Sequence, residues 1–117
     1  AVDVDTRAVV DLNVKGQRLV GLGDGNGPVN AIDTALRSVL LRNYPELEGI
    51  SLVDYKVRVL DTEKGTGAIT RVLIDSTNGE EIWTTIGVSE NIIEASWQAL
   101  VDAIVYGLLH SDNDRVI

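Results

Sequence analysis

A glycine-rich segment, GLGDGNGPVNA at residues 21–31, is the first stretch of the chain whose composition could serve chemistry. Glycine lets backbone approach a bound group closely, and Pro28 is typical of the first turn of a helix. A helix start presents unpaired N–H groups and a partial positive charge, so an anion fits there without an arginine. The segment therefore predicts either a small-anion site or a tight strand-to-helix turn.

A nucleotide phosphate is the first anion to consider, and the spacing of the glycines argues against it. The dinucleotide fingerprint G-x-G-x-x-G needs a glycine at its sixth position. That position holds Asn26 when counted from Gly21 and Pro28 when counted from Gly23. The chain has no G-K-[ST] sequence, and hairpin-like strands precede the helix where a parallel βαβ unit would be needed. We therefore expect no nucleotide site.

A second segment of similar design, GVSENIIEAS, occupies residues 87–96. Asn91 followed three residues later by Glu94 resembles a capping box at a helix start. Asn30 and Asn91 could each contact the amine or the carboxylate of a small ligand. Equally, the glycines could only make a turn, and Asn91 could only cap its helix. The residues alone leave both interpretations open.

Other kinds of chemistry find little support in the composition. The chain has no cysteine and one histidine, His110, which argues against thiol chemistry and a histidine-based metal cluster. No carboxylate pair is singled out by its spacing, and the pattern gives Ser89 and Ser96 no histidine partner. A net charge of -8 argues against nucleic acid and anionic membranes as partners. Neither a signal peptide nor an apolar run of ~20 residues is evident, so we expect no membrane span.

Five strands and two helices are predicted to position the two helix starts. Strands are expected over residues 7–14, 17–22, 51–60, 68–76 and 81–86, with turns at Lys15-Gly16, 61–67 and 77–80. The helices are expected to begin at Gly27-Pro28 and near 89–91, and 110–117 to form a frayed tail. The predicted buried stripes are Ile32, Ala35, Leu36, Val39 and Leu40 in the first helix, and Ile93, Trp97, Leu100, Ile104 and Leu108 in the second.

The two halves of the chain repeat each other weakly. A shift of 64 positions aligns Gly23 with Gly87, Ala31 with Ala95, Ala35 with Ala99 and Leu36 with Leu100. The sequence therefore predicts an α+β fold built from two units, with helices packed on β-sheets, in a single domain over residues 1–117. Because the chain begins with Ala and contains no Met, we expect it to be a piece of a longer protein.

Three segments together are similar to a known family: GDGNGPVNAIDTAL, SLVDYKV and GVSENIIEASWQALVDAI. From about Arg7 to Leu109 the chain resembles the C-terminal regulatory domain of the 2-isopropylmalate synthase and citramalate synthase family, most closely the citramalate branch. The resemblance implies two βββα units, a homodimer, and L-isoleucine or L-leucine as an effector that inhibits a distant active site. It also implies a catalytic TIM barrel in the same chain, which holds a divalent metal and condenses acetyl-CoA with a 2-oxo acid. This segment itself would hold no cofactor and catalyse nothing, and the protein would be cytoplasmic.

Carried onto this sequence, the effector pocket of the family falls on both helix starts and the middle strand. Its residues are Gly27, Val29, Asn30, Leu52, Tyr55, Val59, Ala68, Glu90, Asn91 and Ile92. Leu52 and Val59 have opposite strand parity, so both can face one pocket only if a bulge intervenes. The alternative function is a purely structural homodimerisation module without a ligand, in which the apolar members are ordinary core residues.

Overall fold

The computed structural model describes residues 5–61 and 67–115 and divides the chain into two compact units, Ala1–Pro45 and Glu46–Ile117. The first unit contains strands β1 (Thr6–Val14) and β2 (Gln17–Gly25) and helix α1 (Pro28–Leu40), and a 3₁₀ turn, Pro45–Gly49, follows. The second contains β3 (Ser51–Asp61), β4 (Ala68–Thr77), β5 (Ile82–Ser89) and α2 (Ile92–Arg115). The predicted α+β class, with helices packed on sheets, is confirmed. The single domain over residues 1–117 stays a prediction, and residues 62–66 of the predicted turn lie outside the described part.

The first unit is an antiparallel hairpin covered on one face by α1. All nine residues of β1 pair with β2, from Thr6 opposite Gly25 to Val14 opposite Gln17. The predicted turn residues Lys15 and Gly16 have φ values of 52° and 82°, as a two-residue hairpin loop requires. The described strand and helix order is therefore ββα here and βββα only in the second unit. The part of the chain that the structure describes holds one residue before β1, Asp5, so a third strand of the first unit lies outside what it can test.

The closely spaced glycines lie in strand β2, so the predicted glycine-rich turn is wrong. Alternate residues of a strand share a face, and Gly21, Gly23 and Gly25 share the face that α1 covers. A Cβ atom on Gly23 would meet backbone atoms of Ala31 and Ala35, and one on Gly25 would lie 2.5 Å from the Ala31 nitrogen. The backbone of α1 can approach β2 this closely only because these positions carry no side chain. The bare backbone thus accommodates a helix.

The second unit is a three-stranded antiparallel sheet in the order β3-β4-β5, with α2 packed on β4 and β5. The predicted β4–β5 turn is confirmed: Gly79 has a φ of 97°, and the Asn78 Oδ1 accepts hydrogen bonds from the Glu80 and Glu81 N–H groups at 2.9 Å. The pairing of β3 with β4 shifts between Leu52 and Asp54. Val53 is therefore the extra residue of a β-bulge.

The predicted repeat corresponds to one packing contact made twice. In the second unit, a Cβ atom on Gly87 would meet the Ala95 carbonyl oxygen and lie 3.1 Å from the Ala99 nitrogen. In the first unit Gly23 stands in the same relation to Ala31 and Ala35. Three of the four aligned identities are therefore the residues through which a strand glycine receives the small face of a helix.

Helix α2 buries only part of the predicted stripe: Leu100 and Ile104 are buried as predicted, together with small residues that the stripe did not include. Its buried residues are Ala95, Ser96, Ala99, Leu100, Ala103 and Ile104, whereas Ile93, predicted to be buried, is 49% exposed. Small residues take the inner face because Gly87 draws the helix close to the sheet. Gly107 also serves packing, since a Cβ atom there would lie 2.5 Å from Ile50 Cδ1. The helix continues to Arg115, so residues 110–115 are helical and only 116–117 of the predicted tail lie outside the described part.

The length and composition of α2 would suffice for a membrane span over Ile92–Ser111, which makes it the one such helix in the described residues. The expectation that no apolar run approaches this length is therefore wrong, because only Glu94 and Asp102 interrupt it with charge. Its inner face nevertheless packs on its own sheet. Trp83 Nε1 donates to the Ala103 carbonyl at 3.1 Å, and Thr85 Oγ1 donates to the Ala99 carbonyl at 2.7 Å. Such burial is typical of the core helix of a globular domain.

Candidate functional site

The start of α1 is open to a ligand because no side chain caps it. Gly27 is the N-cap residue, has extended backbone, and forms no side-chain capping bond. Its carbonyl accepts the first helical hydrogen bond from Ala31 at 3.0 Å. Pro28 has no N–H to satisfy, so the N–H groups of Val29 and Asn30 are the ones left over at this end. A Cβ atom on Gly27 would meet no atom of the described residues within 4 Å, so a side chain or a ligand atom has room at this point.

The start of α2 is closed by its own side chains. Asn91 Oδ1 accepts a hydrogen bond from the Ile93 N–H at 2.7 Å, and the Asn91 N–H donates to Ser89 Oγ at 3.2 Å. The predicted cap is confirmed, although Ser89 takes the place that Glu94 would hold in a capping box. The two helix starts therefore differ: the amide of Asn91 is committed to capping, whereas the first start has no equivalent group.

Strand β3 carries the predicted residues Leu52, Tyr55 and Val59 on one face of the sheet. Directly opposed residues share a face, and these three lie opposite Ser76, Ile74 and Thr70, which are buried on the α2 side. In an unbroken strand Leu52 would face the side opposite Tyr55 and Val59. The bulge at Val53 brings Leu52 onto the same face as these two residues. The bulge that the residue spacing demanded is therefore present.

The predicted site residues of the second unit follow one face of its sheet. They lie close to one another at only one end of that face. Val59, Thr70 and Ser89 lie in one row across the sheet, and Ser89 leads directly into the start of α2. Ala68 lies at the same end, opposite Asp61. Val59 is 63% exposed, and Tyr55 lies ~13 Å from it along the strand, with Leu52 farther still.

The Glu90 side chain lies at this same end, close to Gly67. A Cβ atom built on Gly67 would lie 3.7 Å from Glu90 Oε1. The structure therefore brings Val59, Ala68, Glu90, Asn91 and Ile92 to one end of the second unit. Leu52 and Tyr55 lie apart from them along the same strand face. Gly27, Val29 and Asn30 belong to the first unit.

Two residues of this region were missed by the sequence analysis. Thr70 is 6% exposed and lies between Val59 and Ser89, as the hairpin register would have shown. Ser96 is fully buried one turn into α2, and its Oγ is the buried side-chain polar atom for which the described residues offer no hydrogen-bond partner. A buried hydroxyl without a partner is costly. No pattern in the sequence distinguishes this serine from a surface one.

A shallow depression of about 440 Å³ in the first unit contains none of the predicted residues. It is lined by Arg7, Leu22, Gly23, Asp24 and Thr34. The guanidinium of Arg7 is already engaged, because Arg7 Nε donates to Asp24 Oδ1 at 2.8 Å. This hydrogen bond lowers the pKa of Asp24 from its ordinary value and raises the pKa of Arg7. The two charges therefore neutralise each other.

Within residues 5–61 and 67–115, no group of three or more His, Cys, Asp or Glu side chains is placed to hold a metal ion. His110 stacks on Tyr106 with ring centroids 3.8 Å apart, and its Nδ1 lies 2.8 Å from the Tyr106 carbonyl oxygen. The geometry therefore defines a class of protein: a duplicated α+β domain whose open feature is a helix start.

The chain belongs to the LeuA allosteric (dimerisation) domain family, whose model matches residues 2–108. It is therefore a regulatory domain of that family, as the resemblance implied. It is 55% identical over 104 residues to the (R)-citramalate synthase of Streptomyces coelicolor, covering 89% of this chain and 20% of the relative. For the (R)-citramalate synthase of Synechocystis the values are 54%, 86% and 18%. The 2-isopropylmalate synthase of Acetivibrio thermocellus is 32% identical, with 88% of this chain and 19% of the relative covered.

The chain spans about a fifth of the length of the curated relatives it matches. The higher identity to the citramalate synthases agrees with the branch that its motifs resemble. The matched family is described as an allosteric and dimerisation domain.

Proposed function

We propose that this chain is the amino-acid-sensing part of a citramalate synthase, and that L-isoleucine or L-leucine binds it and causes feedback inhibition. The open start of α1 is the observation that carries the proposal. The N–H groups of Val29 and Asn30 offer two donors and the positive end of a helix dipole to a carboxylate. The arginine that lines the depression of the first unit is less suited to this role, since Arg7 is already paired with Asp24.

The second unit, taken by itself, also carries residues whose chemistry suits an amino acid. Glu90 could attract an ammonium group, and the exposed Val59 together with Ile92 could contact an aliphatic side chain. Leucine and isoleucine differ only in shape, so a pocket lined by such residues distinguishes them by ~1–3 kcal/mol at most. We assign Leu52, Tyr55 and Ala68 to the same effector region on the strength of the family motif.

The activity that the effector controls would reside elsewhere in the complete protein. We propose a TIM barrel in the same chain that condenses acetyl-CoA with a 2-oxo acid and holds a divalent metal, with the 117-residue segment forming a homodimer. Feedback inhibition then requires the effector to bind the inactive arrangement more tightly than the active one. Coupling free energies of this kind are typically ~1–3 kcal/mol. A cytoplasmic location stays a prediction.

Titration calorimetry with L-isoleucine, L-leucine and L-valine tests the binding proposal. Saturable heat that favours isoleucine supports a citramalate synthase sensor, and preference for leucine supports the isopropylmalate branch. A folded chain that binds none of the three would instead favour the purely structural dimerisation module.

The variant Gly27→Asp tests whether the binding site lies at the start of α1. Its carboxylate would cap the Val29 and Asn30 N–H groups and repel a ligand carboxylate, so we expect at least tenfold weaker binding with fold stability kept or slightly raised. Gly49→Asp is the matched control, because a Cβ atom there also meets nothing within 4 Å. Equal loss in both variants, or none in Gly27→Asp, would remove the α1 start from the site.

A further inference from the structure

The face of the second-unit sheet that points away from α2 carries an unusual arrangement of charge. Asp54 lies directly opposite Asp75, and Arg58 lies directly opposite Arg71. Like charges directly opposed across strands destabilise a sheet. Here two such pairs of opposite sign lie on one face, four residues apart on each strand, which is ~13 Å.

The first unit contains the same charges in a neutralised form. The segments RAVVD (residues 7–11) and RVLID (71–75) align in the repeat, so Arg7 corresponds to Arg71 and Asp11 to Asp75. In the first unit Asp24 pairs with Arg7 at 2.8 Å and Arg18 with Asp11 at 2.7 Å. The corresponding positions of the second unit are occupied by Val88 and Ile82. The charged motif is therefore repeated, whereas its partners are not.

No ion pair neutralises Arg58, Arg71, Asp54 or Asp75 within the part of the chain that the structure describes. Thr84 Oγ1 donates to Asp75 Oδ1 at 2.6 Å, which satisfies one carboxylate oxygen and leaves its charge. The same face exposes large apolar side chains: Ile82 is 66% exposed, Ile86 53% and Val88 47%. Exposed apolar side chains along β5, beside unpaired charges on β3 and β4, are typical of an interaction surface.

We propose that this face binds the same face of a second copy of the chain, related by a two-fold axis along the row of Lys56, Leu73 and Ile86. Rotation about that axis places the acidic row of each copy against the basic row of the other. Asp54 then faces Arg58 of the second copy, and Asp75 faces its Arg71, so each like-charged pair gains a partner. Leu73 and Ile86 meet their own equivalents at the centre, as a self-complementary interface requires.

Lys56 is the one charged side chain of the face that meets its own equivalent under this symmetry. It lies on β3, an edge strand, so its long side chain can extend past the edge into water. The assignment rests on the dimerisation part of the proposed function and is independent of amino-acid binding. Titration with isoleucine can therefore fail while this inference stands, and the reverse also holds.

Two charge-reversed variants test the arrangement by sedimentation analysis of the 117-residue chain. Arg58→Glu with Arg71→Glu makes the face acidic, and Asp54→Lys with Asp75→Lys makes it basic. Each variant alone should self-associate at least tenfold more weakly than the parent, because like charges now face each other across the interface. An equimolar mixture should recover a heterodimer of near-parental affinity, because acidic and basic rows again meet.

Neutral variants and a distant control separate the interface from the fold. Arg58→Gln with Arg71→Gln removes repulsion within the sheet, so it should leave the unfolding free energy of the monomer unchanged or higher while weakening self-association. Glu80→Lys with Glu81→Lys reverses the same amount of charge in the β4–β5 turn and should leave self-association intact. A monomeric parent, charge-reversed variants that still form homodimers, or folded variants whose mixture forms no heterodimer would each overturn the assignment.

Discussion

Gly23 and Gly87 matter at the scale of single residues because each leaves room for the backbone of a helix. Neither has a positive φ, so the chain needs glycine there for space rather than for conformation. The alanines that face them complete the contact from the helix side. Each glycine–alanine contact brings helix and strand backbones together without a cavity, as protein interiors require.

Substituting Gly87→Ala should destabilise the chain by ~1–3 kcal/mol, the usual range for overpacking a core. The added methyl group would meet the Ala95 carbonyl oxygen, which belongs to the backbone and cannot rotate away. Urea denaturation measures the loss. Gly49→Ala is the control, because its methyl group would meet nothing within 4 Å, and its effect should stay within ~0.5 kcal/mol. Equal stabilities of the two variants would contradict the close contact.

Helix ends are the features of the element scale on which function depends here. The start of α2 is completed by Asn91 and Ser89, and Gln98 Oε1 accepts a further hydrogen bond from the Val88 N–H at 3.1 Å. The start of α1 has a proline and a glycine without a side-chain cap. Each unit contains the same kind of glycine–alanine packing contact, but the two units differ at the helix start, where an anion could bind.

Asn91→Ala should lower the unfolding free energy by ~1 kcal/mol, the usual cost of removing an N-cap side chain. The substitution leaves the Ile93 N–H without its acceptor at the start of a 24-residue helix. Asn43→Ala in the turn after α1 is the matched control, because Asn43 donates to the Leu40 carbonyl through its backbone N–H, which the substitution keeps. Chemical denaturation should show little change for the control and a clear loss for Asn91→Ala.

Sequence reasoning predicted the elements whose signals are local. Lys15-Gly16, Asn78-Gly79 and the Pro28 helix start carry turn and capping chemistry within a few residues. It ended β2 at residue 22, three residues early, although glycines at every second position indicate one face of a strand. The inner face of α2 was only partly predicted: Leu100 and Ile104 are buried, but the small residues that pack near Gly87 were missed because large residues were favoured.

The candidate site was less predictable than the fold. The need for a bulge between Leu52 and Val59 followed from strand parity, but its place at Val53 depends on pairing with β4. That the two helix starts differ could not be derived, since Gly27 and Asn91 both occur at N-caps. Ser96 and the opposed charges of the second sheet depend on tertiary neighbours and registers that no local pattern encodes.

At the scale of the whole molecule, the net charge is -8, and some of the charged side chains form ion pairs whereas others do not. In the first unit, hydrogen bonds from Arg18 and Arg7 lower the pKa values of Asp11 and Asp24 from their ordinary values. A carboxyl group with a lowered pKa in the folded state stabilises the fold only while it is ionised. This stabilisation is present above the ordinary pKa and is lost as the pH falls through the folded-state value.

The double variant Arg7→Gln with Arg18→Gln should be slightly less stable than the parent at neutral pH, with a difference that disappears in acid. The difference should shrink once the pH falls below 3.8, the ordinary value for these carboxyl groups, and reach zero below their lowered folded-state pKa values. Urea denaturation across a pH series measures it. Arg42→Gln is the control, because none of the ion pairs in the described residues involves Arg42. A difference that persists unchanged in acid would contradict the coupling.

Because of the bulge at Val53, β3 contains one residue more than the segment of β4 with which it pairs. Side chains of a strand alternate between two faces, so removing one residue exchanges the faces of everything on one side of the deletion. Val53 is an exception, because it is the extra residue of the bulge: without it Leu52 would lie two residues from Tyr55 and stay on the same face. One residue can therefore be lost at this point without changing which residues the beginning of β3 presents on its α2 side.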